Sequence, residues 1–202
     1  ILKYLSSCSH LYSLYFKGTL GARMAVENGG LIVSNAAQYI VPDSYEHTVH
    51  IEQQLLSDKL GNSWSSVNPN FYREDIWFWR KINAPDLDII PFELQYPKYS
   101  TVRTAQVKVC LYGLTYATSV PPGQYDHNAT VRINEAMINT HNWIGQKEQI
   151  FENAGPVANS YFRHGTNHMY ISLAGNTVSG DREQVLLDYL ELKYWREYKT
   201  SE

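Results

Sequence analysis

The segment VLLDYLELKYW, Val185 to Trp195, constrains this chain more than any other. It reads as a β-strand, in which successive side chains point to opposite faces. One face carries Leu186, Asp188, Leu190, Leu192 and Tyr194. The other carries Val185, Leu187, Tyr189, Glu191, Lys193 and Trp195, and it turns polar towards its end. The first face is therefore expected to meet the core, which sets Asp188 among leucines. A buried carboxylate needs a donor or a cation to satisfy it. Three roles stand open to Asp188: a backbone anchor, a metal ligand or a catalytic group.

Similar runs recur along the 202 residues. Leu11 to Phe16, Gly30 to Val33, Ser44 to Ile51, Ile76 to Ile82, Ala105 to Tyr112, Ala129 to Ile133 and His168 to Leu173 all read as strands between turn residues. The 16 tyrosines and 5 tryptophans favour strands too. Only Ile51 to Gly61 offers a helical pattern, and it reads equally well as a strand and turn. No βαβ alternation is present, which argues against a parallel-sheet enzyme fold. The expected fold class is all-β: a jelly-roll-like β-sandwich over residues 67–202, with an additional N-terminal β segment or small subdomain over 1–66. The boundary is a long polar stretch, Leu60 to Asn70.

The net charge of −3, with both signs mixed, gives no footprint for nucleic acid. No apolar run is long enough to be a transmembrane segment. The chain starts at Ile1 without a signal peptide, and is expected to be a piece of a longer protein. Cys8 and Cys110 can form one bridge or stay as thiols; Cys110 lies in a strand pattern that suits a buried thiol.

The candidate sites are few. His164-Gly165 matches half of a caspase-like pair, but both cysteines precede it, so a loop histidine beside a turn glycine is the simpler reading. His47 and His50 face opposite ways on a strand, while His50 and Glu52 share a face, too little for zinc. Calcium fits better: Asp188, with Asp126 or Asp181 from loops, is a candidate ligand set, set against hydrogen bonding of Asp188 to a neighbouring loop. No cofactor is required, and Ca²⁺ is the one candidate ion. The acidic pairs Glu74–Asp75 and Asp86–Asp88 read as solvated loops. Trp77, Trp79 and Trp143 are candidates for an aromatic platform that stacks sugars, or for packing beneath the sheet.

The second half also carries an ordered set of motifs. A strand AQVKVCLYGLT leads to a loop ending in His127, and a further segment, ATVRINEAMI, carries Val131, Arg132 and Asn134. A W-x-G turn follows at Trp143 and Gly145, then a G-x-N turn at Gly165 and Asn167. The run closes on Leu187, Asp188, Leu190, Leu192, Tyr194 and Arg196. This order resembles the β-sandwich region that precedes the catalytic domain in gingipain-type cysteine peptidases of clan CD. Upstream, SYEHTVHIEQQ and EDIWFWRKI are compatible with it. Glu135 stands where that family usually has a turn glycine.

The resemblance implies a non-catalytic region of a larger, exported bacterial peptidase. Its partner would be the downstream catalytic domain of the same chain, with a protein or glycan ligand as a further partner. Its location would be extracytoplasmic, secreted or in the cell envelope. Asp188, Asn134, Gly165 and Asn167 would act as structural anchors. Galactose-binding-like jelly rolls share the closing L-D-Y strand, so a carbohydrate-binding module is the alternative.

Overall fold

Alternation of apolar and polar residues is what the fold is built from. In the computed structural model, which describes residues 42–57 and 77–199, every regular element except two short 3-10 turns is a strand. In chain order these are β1 (Ser44–Glu52), β2 (Leu56–Ser57), β3 (Trp77–Phe78), β4 (Arg80–Asn83), β5 (Asp86–Leu94) and β6 (Thr104–Gly113). They continue with β7 (His127–Ile133), β8 (Ala136–Trp143), β9 (Glu148–Glu152), β10 (Val157–Ala158), β11 (Gly165–Leu173) and β12 (Gln184–Glu197).

Two antiparallel sheets form a sandwich. One runs β1-β12-β6-β10, with β4 also on β12 and β9 also on β6. The other runs β5-β11-β7-β8. Their inner faces share one core. Val107, Val109 and Leu111 of β6 meet Val131 and Ile133 of β7, Met169 and Ile171 of β11, and Ile90 and Phe92 of β5. In each of these strands the core residues are two apart, so the sequence period sets the face.

The closing strand breaks that period, and the break accounts for Asp188. Val185 and Leu187 face the core, and so do Leu190, Leu192 and Tyr194. The pairing of β12 with β6 shifts register between Leu187 and Leu190. An extra residue in one strand reverses which positions face inward. The other edge of β12 changes partner at the same point: Gln184 to Leu187 pair with β4, and Tyr189 to Glu197 pair with β1. Leu186 and Asp188 are thus on the outer face, not in the core row expected for them. Leu186 packs there with Phe78 and Tyr112, joined by Leu56 and Leu114.

Three sequence expectations are corrected here. Of Ile51 to Gly61, residues 51–57 follow the strand alternative rather than the helical one: Ile51 and Glu52 end β1, and Leu56 pairs with Phe78 in a two-stranded sheet. Leu56 is used to cover the outer face of the first sheet rather than to line a helix stripe. Asp86 and Asp88 lie in strand β5 rather than in a loop, with Asp88 paired to Arg80 at 2.8 Å. Finally, β1 pairs with β12 along its whole length, so the sandwich takes in a strand from upstream of residue 67. The strands expected at Leu11 to Phe16 and Gly30 to Val33, Cys8, the Glu74–Asp75 pair and the Leu60 to Asn70 boundary lie outside the described residues.

Candidate functional site

The three candidate platform tryptophans do not form a platform. The chain bends at Trp79 between β3 and β4, with Phe78 in the outer-face cluster and Trp79 in the core. Trp77 is 43% exposed, while Trp79 is 5% and Trp143 is 3% exposed. Trp143 stacks on His127 with ring centroids 4.7 Å apart. Both buried indoles are part of the core cluster, so the packing reading holds for them.

Of the three candidate calcium ligands, Asp181 lies in the 3-10 turn Gly180–Arg182, and Asp188 and Asp126 are engaged separately. Asp188 is buried, and its Oδ2 lies 3.6 Å from the Cys110 thiol on the outer face. Asp126 is fully buried at the start of β7, and its Oδ2 accepts the Gly145 N–H at 2.8 Å and the Ala117 N–H at 3.5 Å. Among the described residues, no group of three or more His, Cys, Asp or Glu is arranged to hold a metal ion. Asp126 ties two loops to one strand end, the kind of contact that the sequence suggested for Asp188. His164 is exposed, stacks on Tyr96 at 4.2 Å and accepts the Tyr96 N–H at 3.3 Å; its neighbour Gly165 has φ +84°.

Asn134, Gly165 and Asn167 come together at the opposite end of β7. Asn134 has φ 49°, a left-handed conformation that asparagine tolerates. Its amide donates to the Tyr161 carbonyl at 2.7 Å and to Asn167 Oδ1 at 2.8 Å, and its Oδ1 accepts from His168 N–H at 3.0 Å. Asn167 in turn accepts from Arg163 N–H and donates to the Arg163 and Gly165 carbonyls. Glu135, in place of the usual glycine, forms an ion pair with Arg163. A third buried asparagine, Asn159, ties Lys98 and Trp195 together through its side chain. Nothing in the sequence around NSY marked it, because its partners are 61 and 36 residues away.

The densest chemistry lies where the β6–β7 loop meets the start of β12. His127, Asp126 and Glu183 are each fully buried. His127 Nε2 is 3.1 Å from the Thr115 carbonyl, so Nε2 carries the proton. Its Nδ1 lone pair then faces Glu183 Oε1 at 3.8 Å. Asp126 Oδ1 and His127 Nδ1 are buried without a hydrogen-bond partner among the described residues. Glu183 accepts the Asn128 N–H at 2.7 Å and the Thr177 hydroxyl at 3.2 Å. Burial pushes the His127 imidazole down to about 4, against the pull of the Thr115 carbonyl and Asp126. Burial pushes Glu183 up to about 6, against its bonds from Asn128 and Thr177. No sequence signal marks Glu183, which sits in an ordinary polar turn, GDREQ.

The two shifts oppose each other in their effect on stability. Unfolded His127 takes up a proton below about 6.5 while the folded form resists until about 4, so its contribution is present above 6.5 and lost as pH falls. Glu183 holds its proton longer when folded, so its contribution is present below about 4.5 and lost as pH rises through about 6. Glu183→Gln removes the opposing half. Its urea midpoint is expected to fall more steeply than the parent's between pH 6 and 4.5. Parallel midpoint curves over that range would show that Glu183 titrates normally.

No protein-family model matches the chain, and no curated protein sequence matches it. Solved structures do. Dimeric latent PorU from Porphyromonas gingivalis superposes with a TM-score of 0.53 at 13% identity, over 81% of this chain and 14% of that one. The CBM36-1 domain of a multidomain xylanase from the hindgut metagenome of Trinervitermes trinervoides matches with a TM-score of 0.36 at 10% identity, over 73% of this chain and 96% of that one. A carbohydrate-binding module CBM36 in complex with calcium and xylotriose gives 0.29 at 12% identity, over 56% and 99%. At these identities the likeness is one of fold. The chain spans about one seventh of the PorU chain it matches.

Proposed function

We propose that this chain is a non-catalytic β-sandwich region of a larger, exported bacterial cysteine peptidase of the gingipain type. The observation that carries the reading is the likeness of fold to a segment of PorU, which takes in 81% of this chain. The motif order from His127 to Arg196 supports the same assignment. In this reading the sandwich packs on the catalytic domain of its own chain and fixes its orientation, in an extracytoplasmic location. Two of its residue groups suit such a scaffold. The Asn134–Asn167 network and the Asp126 ties both make the loops at the strand ends rigid, and a rigid end is what a docked domain needs.

The test is to sequence the parent gene past the codon for Glu202. The expected result is a segment with a strand ending in His-Gly and a cysteine at a later strand end. A stop codon there, or a glycoside-hydrolase-like segment, would sink the peptidase reading.

A further inference from the structure

At the end of the sandwich that carries Asp126, a cleft of about 380 Å³ opens beside the β6–β7 loop. That size falls within the roughly 300–1,000 Å³ usual for small-molecule sites. Its polar lining is unusual in kind. Gln124, Tyr125, Asn128, Asn142, Asn176 and Thr177 face it, and none of its lining residues is charged. Four carboxamides in one cleft supply donors and acceptors in equal number. Asn128 donates to Asn176 Oδ1 at 2.9 Å, which leaves the Asn128 carbonyl oxygen and the Asn176 amide nitrogen for a ligand. Among the described residues, the side-chain amides of Gln124 and Asn142 have no hydrogen-bond partner. Tyr125 is 40% exposed and lines the cleft with them.

The walls are fixed from behind. Pro121, Pro122, Gly123 and Gln124 form a turn closed by Gln124 N–H to the Pro121 carbonyl at 3.0 Å, with Gly123 at φ +80°. Proline before a glycine of positive φ is the arrangement a type II turn requires. The far wall is stitched to the near one by Val178 N–H donating to the Tyr125 carbonyl at 3.0 Å. Beneath both lies Glu183, which holds the backbone of Asn128 with one oxygen and the Thr177 hydroxyl with the other. Asn142 is set by its pairing opposite Asn128 across β7 and β8. Groups held in place before binding lose little entropy when they bind.

We infer that this cleft binds a neutral, hydroxyl-rich ligand, a saccharide, through its carboxamides and the Tyr125 ring. Adjacent hydroxyls each donate and accept, and so match paired amides. A carboxylate or phosphate ligand would find no cation in the lining, and an apolar ligand would leave the amides unpaired. The inference goes beyond the proposed scaffold role and does not depend on the peptidase to which that reading attaches the chain.

The test is a titration of the 15N-labelled chain with cellotetraose, xylotetraose and mannotetraose, and with tetragalacturonate as a charged control. The side-chain amide resonances of Gln124, Asn128, Asn142 and Asn176 are expected to move with at least one neutral sugar. Asn139, whose amide is committed to the Glu152 carbonyl, is expected to stay still. Asn176→Ala and Tyr125→Ala, both at surface positions, are expected to weaken binding by about tenfold or more. Silence of all four amides with every neutral sugar at about 10 mM, a weaker affinity than millimolar, would overturn the inference. So would a response to tetragalacturonate alone, or unchanged affinity in both variants. Failure of the cleft leaves the fold-based reading standing. New reducing ends during the titration would instead overturn the non-catalytic reading, while the shifts still supported the cleft.

Discussion

Replacing Gly113 by alanine is expected to destabilise the sandwich by about 3 kcal/mol or more, the upper end of what overpacking a core costs. Gly113 closes β6 directly under the stacked rings of His127 and Trp143. A Cβ there would lie 2.6 Å from His127 Nε2, 2.8 Å from Trp143 Nε1 and 2.8 Å from the Gly145 carbonyl oxygen. Neither ring can step aside cheaply. His127 is held by the Thr115 carbonyl, Trp143 is packed edge-on to Phe151, and the Gly145 backbone is pinned by Asp126. For a domain of this size the loss corresponds to a fall in Tm of about 10 °C. Gly155→Ala is the control, since nothing lies within 4 Å of a Cβ built there. Thermal melts of the two variants decide the matter. A Gly113→Ala melt within about 2 °C of the parent would mean that the ring stack is loose.

The second large effect is expected at Asn167. Asn167→Ala leaves the Arg163 N–H, the Arg163 carbonyl and the Gly165 carbonyl without their side-chain partner, and it removes the bond from Asn134. Asn167 itself is fully buried, so water does not readily replace it. Four hydrogen bonds are lost, one of them buried and three part-buried, and at about 0.5–1.5 kcal/mol each the total is about 3 kcal/mol. Asn134 belongs to the same network, so Asn134→Ala is expected to lose part of the same energy. The double variant should then be less destabilised than the sum of the two, by about 1 kcal/mol. Denaturant midpoints of the four proteins measure this coupling. Additive losses would mean that the two asparagines act independently, against the geometry that joins them at 2.8 Å.

The pH behaviour and the saccharide cleft converge on Glu183. Its carboxylate holds two lining residues of the cleft, Asn128 and Thr177, from behind and faces a histidine that resists protonation. Asn128 connects the two, because its N–H ends at Glu183 and its side chain lines the cleft. A change in the protonation of Glu183 therefore acts on the wall that carries Asn128.

The period-2 pattern of β6, β7 and β11 determined their existence and their inner faces. Their apolar residues alternate along the chain, and alternation alone sets the face of a strand. It determined β1 as well, including the shared face of His50 and Glu52, which lie 3.3 Å apart. The motif order marked Asn134 and Gly165 as turn positions, and both have positive φ, which asparagine and glycine tolerate; Asn167 lies within β11. Other elements were hidden. β8 reads AMINTHNW, too polar for a strand signal, and forms because a two-residue turn returns it against β7. β5 begins with two aspartates, and only the Arg80 guanidinium makes Asp88 compatible with a sheet.

The tertiary structure alone decided where Asp188 points. The residue lies where β12 exchanges β4 for β1 and slips register against β6, and neither event leaves a mark in VLLDYLELKYW. It alone decided that Trp79 and Trp143 are buried, since aromatic residues suit a core and a binding face equally. It also brought Glu183 to Asn128, 55 residues away in the chain. Local sequence sets periodicity and turn chemistry, which act over a few residues. Register, burial and the meeting of distant carboxamides depend on which strand pairs with which, and that is settled only when the whole core is packed.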